Sequence, residues 1–167
     1  CQSGRLTHGN PTGYLAAGML SASVSLLSQG NELADTLPEV MRILQKHEHY
    51  EGVKRAVIRA IDEAVTDREA WRAMKRIGKG WVAEETYALA IYCLLKTGTL
   101  KDAVIMACNQ DGDSDSCGAV CGNMAGAMYG ADAVPRSWSH KLECSSLVTI
   151  LAQSLFKVHE DGKEKRN

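Results

Sequence analysis

The sequence predicts an all-α fold on three observations. Apolar residues recur at helical spacing along most of the chain, cap and stop residues punctuate those stretches, and alternating strand patterns are absent. At 167 residues the chain is long enough to bury a real core, and 45% apolar with 23% charged residues is ordinary for a globular protein.

The elements follow in order. Asn10 before Pro11 is an N-cap followed by proline at the first helical position, and that helix runs until Gly30 stops it. Asn31 can cap the next helix, which carries Leu33, Leu37, Val40, Met41 and Leu44 on one face, with Pro38 as a kink or a break. From about 51 to 76, Val53, Val57, Ile61, Ala64 and Val65 keep helical spacing, and the charged side is expected to be a solvated face. After Gly78 and Gly80, residues 81 to 96 are apolar nearly all round, which suits a buried central helix ended by Gly98. Thr99 and Asp102 form a capping pattern for a helix through about Cys108. A helix after an aspartate-rich loop and another from about 138 to 158 complete the set. The domain is expected to span 1–158, with 159–167 a flexible charged tail.

Charge narrows the function classes. The formal net charge is -1 and KEKRN is the only cationic cluster, so no basic stripe offers itself to nucleic acid. No uncharged apolar run reaches the roughly 18 residues of a membrane span, and WVAEETYALAIYCLL is interrupted by Glu84 and Glu85. Six cysteines are too scattered for a disulfide framework; Cys93, Cys108, Cys117 and Cys121 read as reduced core thiols, which points to a cytoplasmic setting. The pair Cys117 and Cys121 could ligate a soft metal, yet no second pair accompanies it. Cys1, Ser3 and His8 lie close together, but no acyl-transfer motif goes with them.

The stretch NQDGDSDSCGAVCGNMAGAMYG carries the chemistry. Asp111, Asp113 and Asp115 alternate, which points several oxygens at one spot and suits a hard cation. An EF-hand fails at two diagnostic places, where Ser116 stands for glycine and Gly122 for glutamate. Two readings remain: N-caps and turn formers ahead of a helix, or a metal or phosphate site that neutralises three crowded carboxylates. Gly118, Gly122, Gly126 and Gly130 follow at i, i+4 spacing, each costing roughly 1 kcal/mol inside a helix. Such a stripe lets another backbone approach and would hold the preceding loop rigidly.

Three blocks, SGRLTHGNPTGYLAAGMLSAS, GWVAEETYALAIYCLL and GDSDSCGAVCGNMAGAMYG, together resemble the ADP-ribosylglycohydrolases. That family includes the ADP-ribosylarginine hydrolases and the dinitrogenase reductase-activating glycohydrolases. The resemblance implies an all-α fold that holds two Mg2+ or Mn2+ ions and hydrolyses the bond between ADP-ribose and a modified side chain. It implies Asp113, Asp115 and Ser116 as metal ligands, the serine standing where the family often has threonine, and Asp111 as a cap or supporting residue. It also places His8 and Trp81 at the ADP-ribose site. Taken without the resemblance, His8 is a capping or core histidine and Trp81 a core tryptophan. Glu84 and Glu85 read as first-turn carboxylates favoured by the helix dipole, neither of them a catalytic base.

The family's glycine-rich opening helix and its T-D-D motif are missing, so the chain looks like the C-terminal half of such an enzyme. A mature bacterial lipoprotein also begins with cysteine, but CQSGRLTH looks internal to the fold. The expected chemistry is attack on the anomeric carbon by a water activated at two divalent ions, with an acidic residue of the other half as the remaining participant. Arginine-linked ADP-ribose is the expected substrate, on a protein or a small molecule, and a second chain carrying the other half is an expected partner; nucleic acid and membrane are not. The alternatives are a non-catalytic binding or regulatory module of the same fold, or a hydrolase of another ribosyl substrate. Without a partner half, residues 81 to 96 and the glycine stripe are expected to be exposed or self-associated.

Overall fold

The computed structural model describes residues 1–164, with side chains described through Val158. It is helical, with no strand among the described residues. The chain divides into two units, Cys1–Ala133 and Val134–Asn167.

The first unit opens with a short turn of helix, α1 (Gln2–Arg5). In α2 (Pro11–Ser28) the Asn10 side chain accepts from the Thr12 N–H at 3.1 Å, so the predicted cap and N1 proline are both in place. Asn31 is a correction. Its side-chain amide donates to the Leu26 carbonyl at 2.8 Å and seals the end of α2, and Glu32 takes the cap position of α3 (Leu33–Leu44). Pro38 lies inside α3, which continues as one helix.

The 51–76 segment divides into α4 (Glu51–Ala64) and α5 (Ala70–Ile77), with a turn closed by the Thr66 hydroxyl donating to the Glu63 carbonyl at 2.8 Å. Val65 is therefore exposed rather than part of the apolar stripe. The expected solvated face also needs correcting at Glu63. Its side chain is only 8% exposed, because the guanidinium of Arg76 sits 2.5 Å from one oxygen and that of Arg68 2.8 Å from the other. Arg76 first, and Arg68 with it, hold the Glu63 carboxyl below its ordinary value against a smaller opposing effect of burial.

Helix α6 (Ala83–Lys96) is the centre of the unit, with Thr86 to Leu94 all buried, as an all-round apolar helix should be. It packs against α2 and α4, and against α7 (Leu100–Cys108) and α8 (Ser114–Tyr129). The Thr99 hydroxyl accepts from the Asp102 N–H at 3.1 Å, the predicted cap of α7. Of the 81–96 stretch expected to be exposed without a partner half, Thr86–Leu94 are buried by helices of the same chain, whereas Trp81, Val82 and Leu95 are exposed.

The glycine stripe needs a partial correction. A Cβ at Gly118 would overlap the Cys108 sulfur, so α7 and α8 do approach closely there. Gly122 would make only ordinary contact with Val104, and Gly126 has nothing near it. Close approach is thus confined to the first turns of α8. Cys93, Cys117 and Cys121 are buried free thiols, as expected, whereas Cys108, the last residue of α7, is exposed.

After a 3-10 turn at Ala131–Ala133, the second unit holds α9 (Arg136–Ser139) and α10 (Ser145–Glu164). The single helix expected from 138 to 158 is broken before Ser145, where Cys144 has φ of 58°. Leu147, Val148, Ile150, Leu151, Leu155 and Phe156 of α10 are exposed. The backbone of α10 is helical through Glu164, and the last part of the expected tail, 165–167, lies outside the described residues.

Candidate functional site

A cavity of about 310 Å³ opens in the first unit between α2, α6 and the start of α8. Ala17 and Leu20 of α2, Thr86 and Tyr87 of α6, and Val120 of α8 form its apolar walls. Trp81, Asp113 and Ser116 line the same space, so the fold brings an indole to a carboxylate and a hydroxyl that lie more than 30 positions further along the sequence.

Trp81 is 69% exposed, which rules out the core reading of this residue. It follows a tight Gly78–Lys79–Gly80 passage. Gly80 has φ of 77°, in the left-handed region that favours glycine, and a Cβ there would sit 2.5 Å from the Cys117 sulfur.

Asp113 is the N-cap residue of α8, but its side chain makes no capping bond. Its backbone N–H donates to the Lys79 carbonyl at 2.8 Å, and its own carbonyl accepts from the Cys117 N–H at 3.2 Å. The backbone of Asp113 is thus fixed on both sides, and its carboxyl lines the cavity beside that of Asp115. Gly112 has no room for a side chain, because a Cβ would overlap the Lys79 carbonyl. Asp115, in the first turn of α8, is exposed and stands outside the cavity lining. The neighbouring Asp113 carboxyl, together with the N–H groups of Asp115 and Ser116, holds its carboxyl below the ordinary value.

His8 is not brought to this cavity. It lies exposed in the loop between α1 and α2, its Nδ1 2.8 Å from the Thr7 hydroxyl. Asp111 faces a separate cavity of about 240 Å³ with Trp71, Lys75 and Lys79. Glu85 does not act only through the dipole of its own helix, since its Oε2 accepts from the N–H groups of Lys79 at 2.9 Å and Gly80 at 3.1 Å.

Sequence reasoning missed Tyr87 as a wall residue. Its phenol is 2.6 Å from the Ser23 hydroxyl, both side chains are buried, and burial pushes its pKa up to about 12. That bond ties α2 to α6 beneath the cavity. Only the 64-residue separation hid it, since a tyrosine in an apolar helix carries no signal of its partner.

The oxygens of Asp113, Asp115 and Ser116 are hard donors, and two of the three carry charge, which fits a divalent cation. Among the described residues no group of three or more His, Cys, Asp or Glu side chains converges on one point.

The sequence matches the ADP-ribosylglycohydrolase family over residues 1–165, and the chain belongs to that family. It is 28% identical to human ADP-ribosylhydrolase ARH3 over 95% of this chain and 51% of that protein. It is 27% identical to the ADP-ribosylarginine hydrolase Tri1 of Pseudomonas putida over 90% of this chain and 37% of that one. The ADP-ribosyl-[dinitrogen reductase] glycohydrolase of Rhodospirillum rubrum is 28% identical over 83% of this chain and 40% of the enzyme. The chain spans about half the length of human ARH3 and less of the other two relatives. No solved structure matches it. No helix among the described residues is long and apolar enough to cross a membrane.

Proposed function

We propose that this chain supplies one side of an ADP-ribosyl hydrolase site, which cleaves the glycosidic bond between ADP-ribose and a modified side chain, arginine in the first instance. One observation carries the reading: Trp81, Asp113 and Ser116 line a single cavity. Family membership supplies the reaction class.

In this reading Asp113, Asp115 and Ser116 hold Mg2+ or Mn2+, two ions in the complete site. Divalent ions there would supply Lewis acidity towards the ribose hydroxyls and the attacking water. The exposed indole of Trp81 offers a flat apolar face to the sugar or base, and Leu20, Tyr87 and Val120 add apolar wall to the same cavity. His8, on the exposed loop before α2, would meet the substrate from outside the cavity. The remaining ligands and the acidic participant come from the part of the fold that this chain does not span, in the same polypeptide or another.

The test is calorimetric titration of the chain with Mn2+, and with ADP-ribose in the presence of Mn2+, for wild type and Asp113→Asn. The expected result is measurable binding that weakens about tenfold or more in the variant, since a charged ligand is lost. Equal affinities in both proteins would remove Asp113 from the site. ADP-ribose binding that needs no cation would favour the non-catalytic binding module.

A further inference from the structure

We propose that Glu85 is a positioning residue, whose carboxylate sets both Trp81 and Asp113 by holding the Gly78–Gly80 passage between them. The proposal rests on reading the Trp81–Asp113 cavity as the substrate site, but its structural half is tested without any ligand.

The geometry forms one connected chain. Glu85 Oε2 accepts from the N–H groups of both Lys79 (2.9 Å) and Gly80 (3.1 Å), two charge-assisted bonds to consecutive backbone donors. The adjacent Thr86 hydroxyl donates to the Gly80 carbonyl at 2.8 Å, so both backbone polar groups of Gly80 are tied to the first turn of α6. The Lys79 carbonyl then accepts from the Asp113 N–H at 2.8 Å. Trp81 follows Gly80 directly. Glu85 therefore holds the Lys79–Gly80 peptide, whose carbonyl takes the Asp113 N–H, and the next peptide, which carries the indole, is held by the adjacent Thr86.

The surrounding packing leaves this arrangement little freedom. A Cβ at Gly78 would overlap the Glu85 carboxyl, and one at Gly112 would overlap the Lys79 carbonyl. A passage this crowded cannot slide along α6 without breaking the Asp113 bond. Glu84, the neighbouring carboxylate in the same first turn, makes none of these contacts, although both residues stand equally well placed for the helix dipole. Position of the carboxylate, rather than charge at the helix start, distinguishes Glu85.

The experiment is backbone amide hydrogen exchange on the chain, comparing wild type with Glu85→Ala, Glu85→Gln and Glu84→Gln. In Glu85→Ala the amides of Lys79, Gly80 and Asp113 are expected to exchange about tenfold faster or more, while Val57 in α4 keeps its protection. Glu85→Gln retains an acceptor oxygen and should recover most of the protection, and Glu84→Gln should leave the Asp113 amide as in wild type. If Glu85→Ala does not fold, Glu85→Asp withdraws the carboxylate by one methylene and is read by the same criteria. Faster exchange at Lys79 and Gly80 with an unchanged Asp113 amide would overturn the proposal, as would an equal effect from Glu84→Gln. With Mn2+ present, ADP-ribose affinity should fall about tenfold in Glu85→Ala, in step with the Asp113 amide. Wild type that binds no ADP-ribose would sink the functional reading, while the exchange result would still decide the role of Glu85.

Discussion

Ser23 and Tyr87 form a buried polar joint between α2 and α6. Ser23 is fully buried and Tyr87 is 2% exposed, with their oxygens 2.6 Å apart. Tyr87→Phe keeps the ring in place but leaves the serine hydroxyl buried beside an apolar edge. Ser23→Ala leaves the phenol in the same position. Each single change strips a buried polar group of its partner, which costs about 1–3 kcal/mol. The double variant removes both groups and should cost less than the sum of the two, with a coupling of about 1 kcal/mol or more. Urea unfolding followed by tryptophan fluorescence gives all three numbers, with m expected to stay constant. Strictly additive costs would show that neither group depends on the other, and would refute the joint. Burial of the phenol has a pH signature of its own, which the Ser23 bond opposes. The folded pKa of Tyr87 is raised from 10.0 to about 12, so its contribution is fully present below pH 10 and is lost as pH rises towards 12. Tyr87→Phe should flatten that alkaline fall.

Two further predictions concern residues away from the cavity. Glu63 has a lowered carboxyl pKa, so the stability it provides is present above its unfolded value of 4.5 and is lost as pH falls through the folded value. Glu63→Gln should lower Tm at neutral pH and make no difference once the wild-type carboxylate is protonated; a constant offset through the acid limb would refute this. Of the cysteines, Cys1, Cys108 and Cys144 are exposed and should react with a thiol reagent in the native protein, whereas Cys93, Cys117 and Cys121 should react only after unfolding. Burial raises the last two to about 11 and about 12, which keeps them as thiols at neutral pH. Rapid modification of Cys117 would show that α8 opens.

The sequence by itself determined the helical class, the capped starts at Asn10 and Thr99, and the burial of α6, because caps and periodicity are local properties of neighbouring residues. It also marked Asp111, Asp113 and Asp115 through their spacing, and Ser116 and the family through three blocks. Only tertiary structure decided that Trp81 shares a cavity with Asp113 while His8 does not, since long-range juxtaposition leaves no trace in local pattern. It likewise decided that Glu63 is buried between two arginines and that Asn31 closes a helix rather than opening one. A side chain with two possible partners takes the one the packed chain brings within reach. Glu85 shows the difference most plainly. Its place in the first turn of α6 is written in the sequence, but what its carboxylate holds depends on a backbone passage that folds back onto it.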